Sequence, residues 1–502
     1  MQQHRGHLLN WYDTRTLEPL KPRFVSSVDS GNLVASLWTL EQGCLERMKR
    51  PAFERSLADG FLEHLQALLD LRAFPKKRLS QLRKELRKEN WLQGVLGLAD
   101  PILEDLQRSP ANGRNAADVQ WFGAQAAERL KQLRQMVANY TPWLLPEFAA
   151  LYSDPAVKLN STPESLALQR LPEFIDTLSK RLDLASRSTN SIDQGSLYVR
   201  LQMLLPEARA NSQKLVRDLQ AIAKAAGRMS NEMDFAFLMD PYRRLLSIGF
   251  SLETQKLEPS CYDLLASEAR TASFVAIAKD DIPQEAWFLL GRTPTMADGR
   301  PVLMSWSGTM FEYLMPTLWM RTHPNTLMQR TAAGAVHAQQ TYGEEKNIPW
   351  GISESAFSKR DPQGNYQYHA FGLPKLALGR SQEKSLVISP YSTFLALHVD
   401  PEQSFRNLQK MDRDGWFGPY GFYESADFTP LNRTWRHRYE IVRCWMAHHQ
   451  GMSLLAIANF LNDNIVQRWF HCDRRVQATE LLLHEKPVTH VRHVRGRFRI
   501  TA

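Results

Sequence analysis

NIPWGISESAFSKRDPQGNYQYHAFGLPKLAL (Asn347–Leu378) is too broken for an amphipathic helix. Pro349, Gly351, Pro362, Gly364, Gly372 and Pro374 interrupt it too often. Yet it carries Trp350, Tyr366, Tyr368 and Phe371, too many rings for a disordered linker, with Glu354 in their midst. A rigid turn that keeps large rings beside a carboxylate suits gripping a sugar and protonating its glycosidic oxygen. Two other stretches are built alike: SWSGTMFEYLMP (Ser305–Pro316) around Glu312, and WFGPYGFYESADFTP (Trp416–Pro430) around Glu424 and Asp427.

Outward from these loops the chain reads as helix. Apolar residues at three- and four-residue spacing predict helices over 31–48, 51–71, 79–107, 117–139, 165–186 and 192–227, then 262–279, 324–343, 390–398, 402–411, 437–461 and 474–484. Asp29 and Ser30 are placed to cap the first, and Pro51 to open the second. Residues 5–29 read as a loop, Met233–Leu252 as short strands about an Asp240–Pro241 turn, and Trp287–Gly291 and Pro301–Gly308 as strands or extended loops. The fold class is therefore mainly α. Helix pairs with aromatic loops and short β-hairpins at one end are what an (α/α)6 barrel needs, and a helical solenoid gives a similar pattern. One domain over 1–484 is expected, with a basic tail or link over 485–502.

The 502 residues, 43% hydrophobic, suffice for a large core. The formal charge of +9 is dispersed. Lys76–Lys88 mixes acids with its bases at helical spacing, as a solvated face does, and the tail Arg492–Arg499 suits an anionic surface or a neighbouring domain. No nucleic-acid motif accompanies the charge. Cys44, Cys261, Cys444 and Cys472 form no CxxC pair and fit reduced thiols. No apolar run reaches the roughly 18–20 residues a membrane span needs, and the first residues hold no signal-peptide core.

Glycoside cleavage or transfer uses two carboxyl groups across one bond. Glu354 and Glu424 are the candidate pair, each in a Gly/Pro-bounded loop among rings whose burial would keep a carboxyl protonated near neutral pH. The bland alternative for each is a helix cap or an arginine partner. Asp427 and Glu312 are substitutes, and Glu440 could displace Glu424. Trp306, Trp350, Tyr368, Tyr420, Phe422 and Tyr423 are candidate sugar-stacking rings. Trp11, Tyr12, Asp13 and Arg15 cluster in the N-terminal loop, where Asp13 serves substrate or its own loop. His448 and His449, about 100° apart on a helix, do not easily face one metal, and H-E-x-x-H spacing is absent. With Gln450 they could bind sugar hydroxyls or form a satisfied polar patch. No metal site, cofactor or phosphate loop is expected.

Eight motifs in order resemble the central domain of cyclic β-1,2-glucan synthases. They are Arg5–Leu33, Met233–Phe250, Tyr262–Lys279, SWSGTMFEYLMP, PWGISESAF (Pro349–Phe357), Tyr366–Leu376, YGFYESADFTP (Tyr420–Pro430) and MAHHQGMSLLAIAN (Met446–Asn459). Phe470–Lys486 resembles the stretch leading on toward a phosphorylase-like part. The resemblance implies an (α/α)6 barrel of glycoside hydrolase family 189, related to family 144 endo-β-1,2-glucanases. It implies a retaining transglycosylase that cyclises linear β-1,2-glucan through a glycosyl-enzyme, with Glu354 as acid/base and Glu424 as nucleophile. Flanking glycosyltransferase and phosphorylase-like domains and a place at the cytoplasmic face of a bacterial inner membrane are implied too, or the cytoplasm for a free-standing relative. An inverting endo-β-1,2-glucanase and a non-catalytic glucan-binding domain are the alternatives.

Overall fold

The structure is a computed structural model that describes residues 1–108, 115–157, 159, 166–379, 385–429 and 439–486. The tail Arg492–Arg499, Pro430 and Trp435–Arg438 lie outside the described residues.

The chain divides into two compact units, residues 43–224 and residues 1–42 with 225–502, where the sequence reading has one domain over 1–484. Among the described residues the first is built of helices, with one isolated bridge between Pro51 and Ala167. Ser56–Asp70 packs on Ala116–Tyr140, and shorter helices Lys76–Leu86, Trp91–Gly97 and Ala99–Gln107 take the place of one long helix over 79–107. Leu65, Leu68, Leu82, Leu92, Leu130, Trp143, Leu178 and Leu201 are among its core. The spaced leucines on each helix explain this core, since each helix buries one stripe against the others.

The second unit mixes helices with small antiparallel hairpins, and its core is built on Trp38, Phe274, Trp287, Tyr313 and Phe470. Its helices touch in succession: Arg270–Ala278 meets Arg474–Thr479, which meets Ile465–His471, then Ala447–Leu461, Pro390–Leu395 and Met310–Leu314. Overall the described chain is mainly α with scattered hairpins.

Several local expectations are corrected. The first helix begins at Ser27, so Asp29 and Ser30 lie inside it, and Ser26 Oγ accepts the Asp29 amide at 3.2 Å instead. Pro51 forms a bridge with Ala167, and the second helix opens at Ser56. Residues 1–29 hold three short strands, Gln3–His4, His7–Leu8 and Phe24–Ser26, the last pairing with Gly249–Ser251. Trp287 lies in a helix, Glu285–Leu289, its bulk fully buried. Glu440–Val442 is a strand beside Ser425–Asp427, so the late helix starts only at Ala447. Cys472 is exposed, whereas Cys44 is buried.

The opening stretch follows from two terminators. Helix Leu327–Lys346 stops where Asn347 turns left-handed (φ 52°), and Pro349 cannot resume it. Gly351 then adopts φ 126°, a conformation glycine alone takes freely, and a Cβ there would meet Ser392 Oγ at 2.5 Å. This turn delivers Glu354 to the start of a hairpin, Ser355–Arg360 paired with Tyr366–His369.

Candidate active site

Hairpin register puts Ala356 opposite Tyr368, which brings the phenol back beside Glu354. The Tyr368 hydroxyl donates to Glu354 Oε1 at 2.9 Å. The same oxygen lies 3.3 Å from His448 Nε2 and 3.2 Å from His449 Nε2. The helical-spacing argument kept these histidines apart. At the first turn of helix Ala447–Leu461, however, both rings lean onto one tyrosine, with centroids 4.0 Å apart. Donor atoms of Glu354, His448 and His449 lie within 4.8 Å of one another, so the trio is a possible cation set.

His449 is buried, stacked face to face on Tyr391 at 3.7 Å. Its Nδ1 lies 2.9 and 3.0 Å from the two Glu424 oxygens, so Nδ1–H donates to that carboxylate and Nε2 faces Tyr368. Glu424, 2% exposed, also accepts the Ala356 amide at 3.2 Å. Glu424, His449, Tyr368 and Glu354 thus stand in a row, with His449 Nδ1–H donating to Glu424 and the Tyr368 hydroxyl to Glu354. Tyr391, which sequence reasoning passed over, braces the chain by donating to the Glu354 carbonyl at 3.0 Å.

Glu354 faces a cavity of about 460 Å³ shared with Glu268, Glu312, Trp306, Tyr262 and Thr309. Burial pushes the Glu354 carboxyl up, against the downward pull of the Tyr368 hydroxyl and His449, while the charges of Glu312 and Asp29 add to the rise. Glu268 is pushed up to about 7, first by burial and then by the charges of Glu312 and Glu354. It stands just ahead of helix Arg270–Ala278, and Ser267 Oγ donates to it at 3.2 Å. Buried Arg270 fixes that turn through the Glu312 and Tyr313 carbonyls at 3.2 and 2.8 Å. The sequence reading missed Glu268, although its motif was noted; an acid opening an apolar helix (LLASEARTA) was the available signal. Burial pushes His448 down to about 4, leaving it a neutral acceptor near neutral pH.

Other expected residues have different surroundings. Glu312 forms a capping box with Thr309 and accepts from Ser305 Oγ, the Ser307 amide, and both the amide and hydroxyl of Thr309. Asp427 is buried and accepts from the Ser358 amide and hydroxyl and the Thr429 amide, which joins the hairpin to strand Ser425–Asp427. Trp306 is 64% exposed at the cavity. Trp350 is buried, its backbone held by Asn407. Tyr420, Phe422, Tyr423 and Gln450 line a second pocket of about 370 Å³ with Glu424 and His449. Glu440 is exposed on its strand.

Tyr12 ties its own loop by accepting the Leu9 amide and donating to the Gln2 carbonyl. Asp13 accepts the Arg15 and Thr16 amides, so it orders its loop. Neither these two nor Trp11 and Arg15 line the cavity that holds Glu354.

Comparison with known proteins gives three findings. The Glycoamylase family model, described as "Putative glucoamylase", matches residues 261–474. Cyclic beta-(1,2)-glucan synthase NdvB of Rhizobium meliloti (strain 1021) is 34% identical over 496 residues, which cover 97% of this chain and 16% of that protein. The chain is thus related to a short part of a much longer one. Among solved structures, an endo-beta-1,2-glucanase from Talaromyces funiculosus with sophorose gives a TM-score of 0.44 at 14% identity over 78% of each chain. A mutant of that enzyme with beta-1,2-glucan gives 0.43 at 14% over 79% of each.

Proposed function

We propose that this chain is a carbohydrate-active domain that cleaves and re-forms β-1,2-glucosidic bonds, closing linear β-1,2-glucan into rings with retention. The observation that carries the reading is the cavity with two opposed roles on its wall: Glu268, held near 7, and Glu354, hydrogen-bonded by Tyr368. The 34% identity to the NdvB synthase along nearly the whole chain supports the substrate.

In this mechanism Glu268 is the acid/base and Glu354 the nucleophile, a different division from the sequence reading of Glu354 with Glu424. The Tyr368 hydroxyl favours the ionised form of Glu354, which is what an attacking carboxylate needs. Burial with few donors keeps the proton on Glu268, which is what a general acid needs. Glu354 bonds to the anomeric carbon as the glycosidic C–O bond breaks, and Glu268 gives its proton to the leaving oxygen. A hydroxyl at the chain's own non-reducing end then attacks that carbon, surrendering its proton to Glu268 and releasing Glu354. Glu424 acts through His449 as a positioning residue. Trp306 offers a face for a sugar ring at the cavity mouth.

The helices of the second unit, which touch in succession from Arg270–Ala278 round to Met310–Leu314, support an (α/α)6 barrel carrying this site. That the chain covers only 16% of a longer relative supports further domains beside it; we take these to be glycosyltransferase and phosphorylase-like parts at the cytoplasmic face of a bacterial inner membrane, as the sequence resemblance implies. No described helix is long and apolar enough to cross a membrane.

The test is incubation with linear β-1,2-glucan, followed by NMR and mass spectrometry. Rings without a reducing end, β-linkages kept, are expected. Linear products released first as the α-anomer would replace the proposal with an inverting endo-glucanase. Binding without turnover would leave a glucan-binding domain.

A further inference from the structure

Away from the cavity, the turn Glu480–His484 packs against the loop that begins at Arg321, and imidazoles crowd the contact. The rings of His323 and His484 stack 3.8 Å apart with a 26° tilt. Glu480 Oε1 lies 3.4 Å from His323 Nε2 and 3.0 Å from His471 Nδ1. Both ring nitrogens are buried, and neither contact has the alignment of a hydrogen bond. The Arg321 amide donates to His471 Nε2 at 3.0 Å, which leaves the ring proton of neutral His471 on Nδ1, toward Glu480. The Arg321 guanidinium is 3.9 Å from the same Glu480 oxygen. Donor atoms of His323, Glu480 and His484 all lie within 4.8 Å of one another. None of these residues lines the cavity of Glu268 and Glu354.

We infer that His323, Glu480 and His484 form a binding site for a divalent transition cation of the zinc type, with His471 orienting the Glu480 carboxylate. Two imidazoles and a carboxylate are a zinc donor set, whereas calcium and magnesium require mostly oxygen ligands. Ligands about 2.0–2.1 Å from a tetrahedral ion stand roughly 3.3 Å from each other. His323 Nε2 and Glu480 Oε1 already do so, at 3.4 Å. A small splay of the stacked His484 ring brings its nitrogen to the same centre, and its exposure leaves a coordination position for water. His471 Nδ1, 3.0 Å from Glu480 Oε1, is placed to supply the outer hydrogen bond such sites use to fix a ligand once the carboxylate turns to the ion. The cation would clip this turn to the loop, beside a second tie in which Arg292 grips Glu485 at 2.6 and 2.9 Å. The role is structural, at the end of the described chain.

The experiment titrates Zn²⁺ into the untagged, chelator-treated chain by calorimetry, and follows the visible absorption of a Co²⁺-loaded sample. One ion per chain is expected, with cobalt bands of a four-coordinate nitrogen/oxygen site and a thermal midpoint that rises with zinc and falls back with chelator. His484→Ala, at an exposed position, is expected to weaken binding by about 100-fold or more, and His323→Ala likewise, while Cys472→Ser leaves binding intact. No uptake below millimolar zinc would overturn the inference. So would uptake that survives His484→Ala and His323→Ala together, or that is lost with Cys472→Ser.

Discussion

Tyr368→Phe removes one oxygen and keeps the ring, so it isolates the hydrogen bond at the centre of the site. That hydroxyl donates to Glu354 Oε1 at 2.9 Å and pulls the Glu354 carboxyl down against burial. A hydrogen bond to a charged group contributes roughly 1.5–3 kcal/mol, and one pKa unit is about 1.4 kcal/mol. Its loss therefore raises the Glu354 pKa and removes stabilisation of the anion worth roughly 10- to 100-fold. If Glu354 must be ionised to attack, the acidic limb of the kcat/KM profile on linear β-1,2-glucan moves up. Well below the old midpoint the rate falls roughly 10- to 100-fold. The alkaline limb belongs to Glu268 in this scheme, and loss of the Glu354 anion at low pH leaves that limb nearly in place. The assay is the rate of product formation from pH 4 to 9 for both proteins. An acidic limb that stays put would refute the nucleophile assignment. An alkaline limb that moves up instead would return Glu354 to the acid/base role.

Glu268→Gln is expected to abolish turnover yet stabilise the fold at alkaline pH. Its folded pKa of about 7 exceeds the ordinary 4.5, so its stability contribution is intact below 4.5 and is lost as pH rises through 7. Removing the buried charge should then gain roughly 2–3 kcal/mol at pH 8 and little at pH 4, read as a midpoint shift by calorimetry at the two pH values. Trp306→Ala should raise KM roughly 5- to 30-fold, equal to about 1–2 kcal/mol of lost stacking, with kcat little changed; a kcat loss at constant KM would move the ring out of ground-state binding. Glu424→Gln keeps a carbonyl for His449 Nδ1–H, so as a positioning change it should cost about 10- to 100-fold in kcat and leave residual ring formation. Complete loss with azide rescue would make Glu424 the nucleophile. Gly351→Ala should destabilise by roughly 1–3 kcal/mol, because it strains a positive φ and crowds Ser392, and an unchanged melting midpoint would refute that.

Punctuation and periodicity carried much of the fold. Asn347, Pro349 and Gly351 mark a helix stop and a turn in the sequence itself, and they stand in that role in the structure. Errors fell where tertiary packing overrode local cues. Trp287 reads as strand by composition, yet it is a core anchor of a short helix. Ser26, not Asp29, meets the first helix because pairing of Phe24–Ser26 with Gly249–Ser251 fixes where the strand ends. At the site, Glu354 and Tyr368 were legible from their loop. Glu268 was not, because what raises its pKa is burial and two carboxylates far away in the chain, Glu312 and Glu354. The helical angle between His448 and His449 was right as geometry and misleading as chemistry, since long side chains at a helix start can converge on a third residue.

What separates the acids of these loops is the number of donors each accepts, a quantity no linear motif contains. Glu312 takes four hydrogen bonds from Ser305, Ser307 and Thr309. Asp427 takes three from Ser358 and Thr429. Glu424 takes the Ala356 amide and the His449 ring. Each donor occupies a lone pair, so such carboxylates are spent on holding loops together. Glu354 accepts from the Tyr368 hydroxyl, and Glu268 from the Ser267 hydroxyl and its own backbone amide. Burial pushes both carboxyls up, Glu268 to about 7, and their few side-chain donors leave lone pairs open. Three aromatic loops carrying four acids looked equivalent in sequence. Hydrogen bonds tie Glu312, Glu424 and Asp427 into their surroundings, while Glu354 shares its cavity with Glu268, from a helix start that no aromatic loop announced.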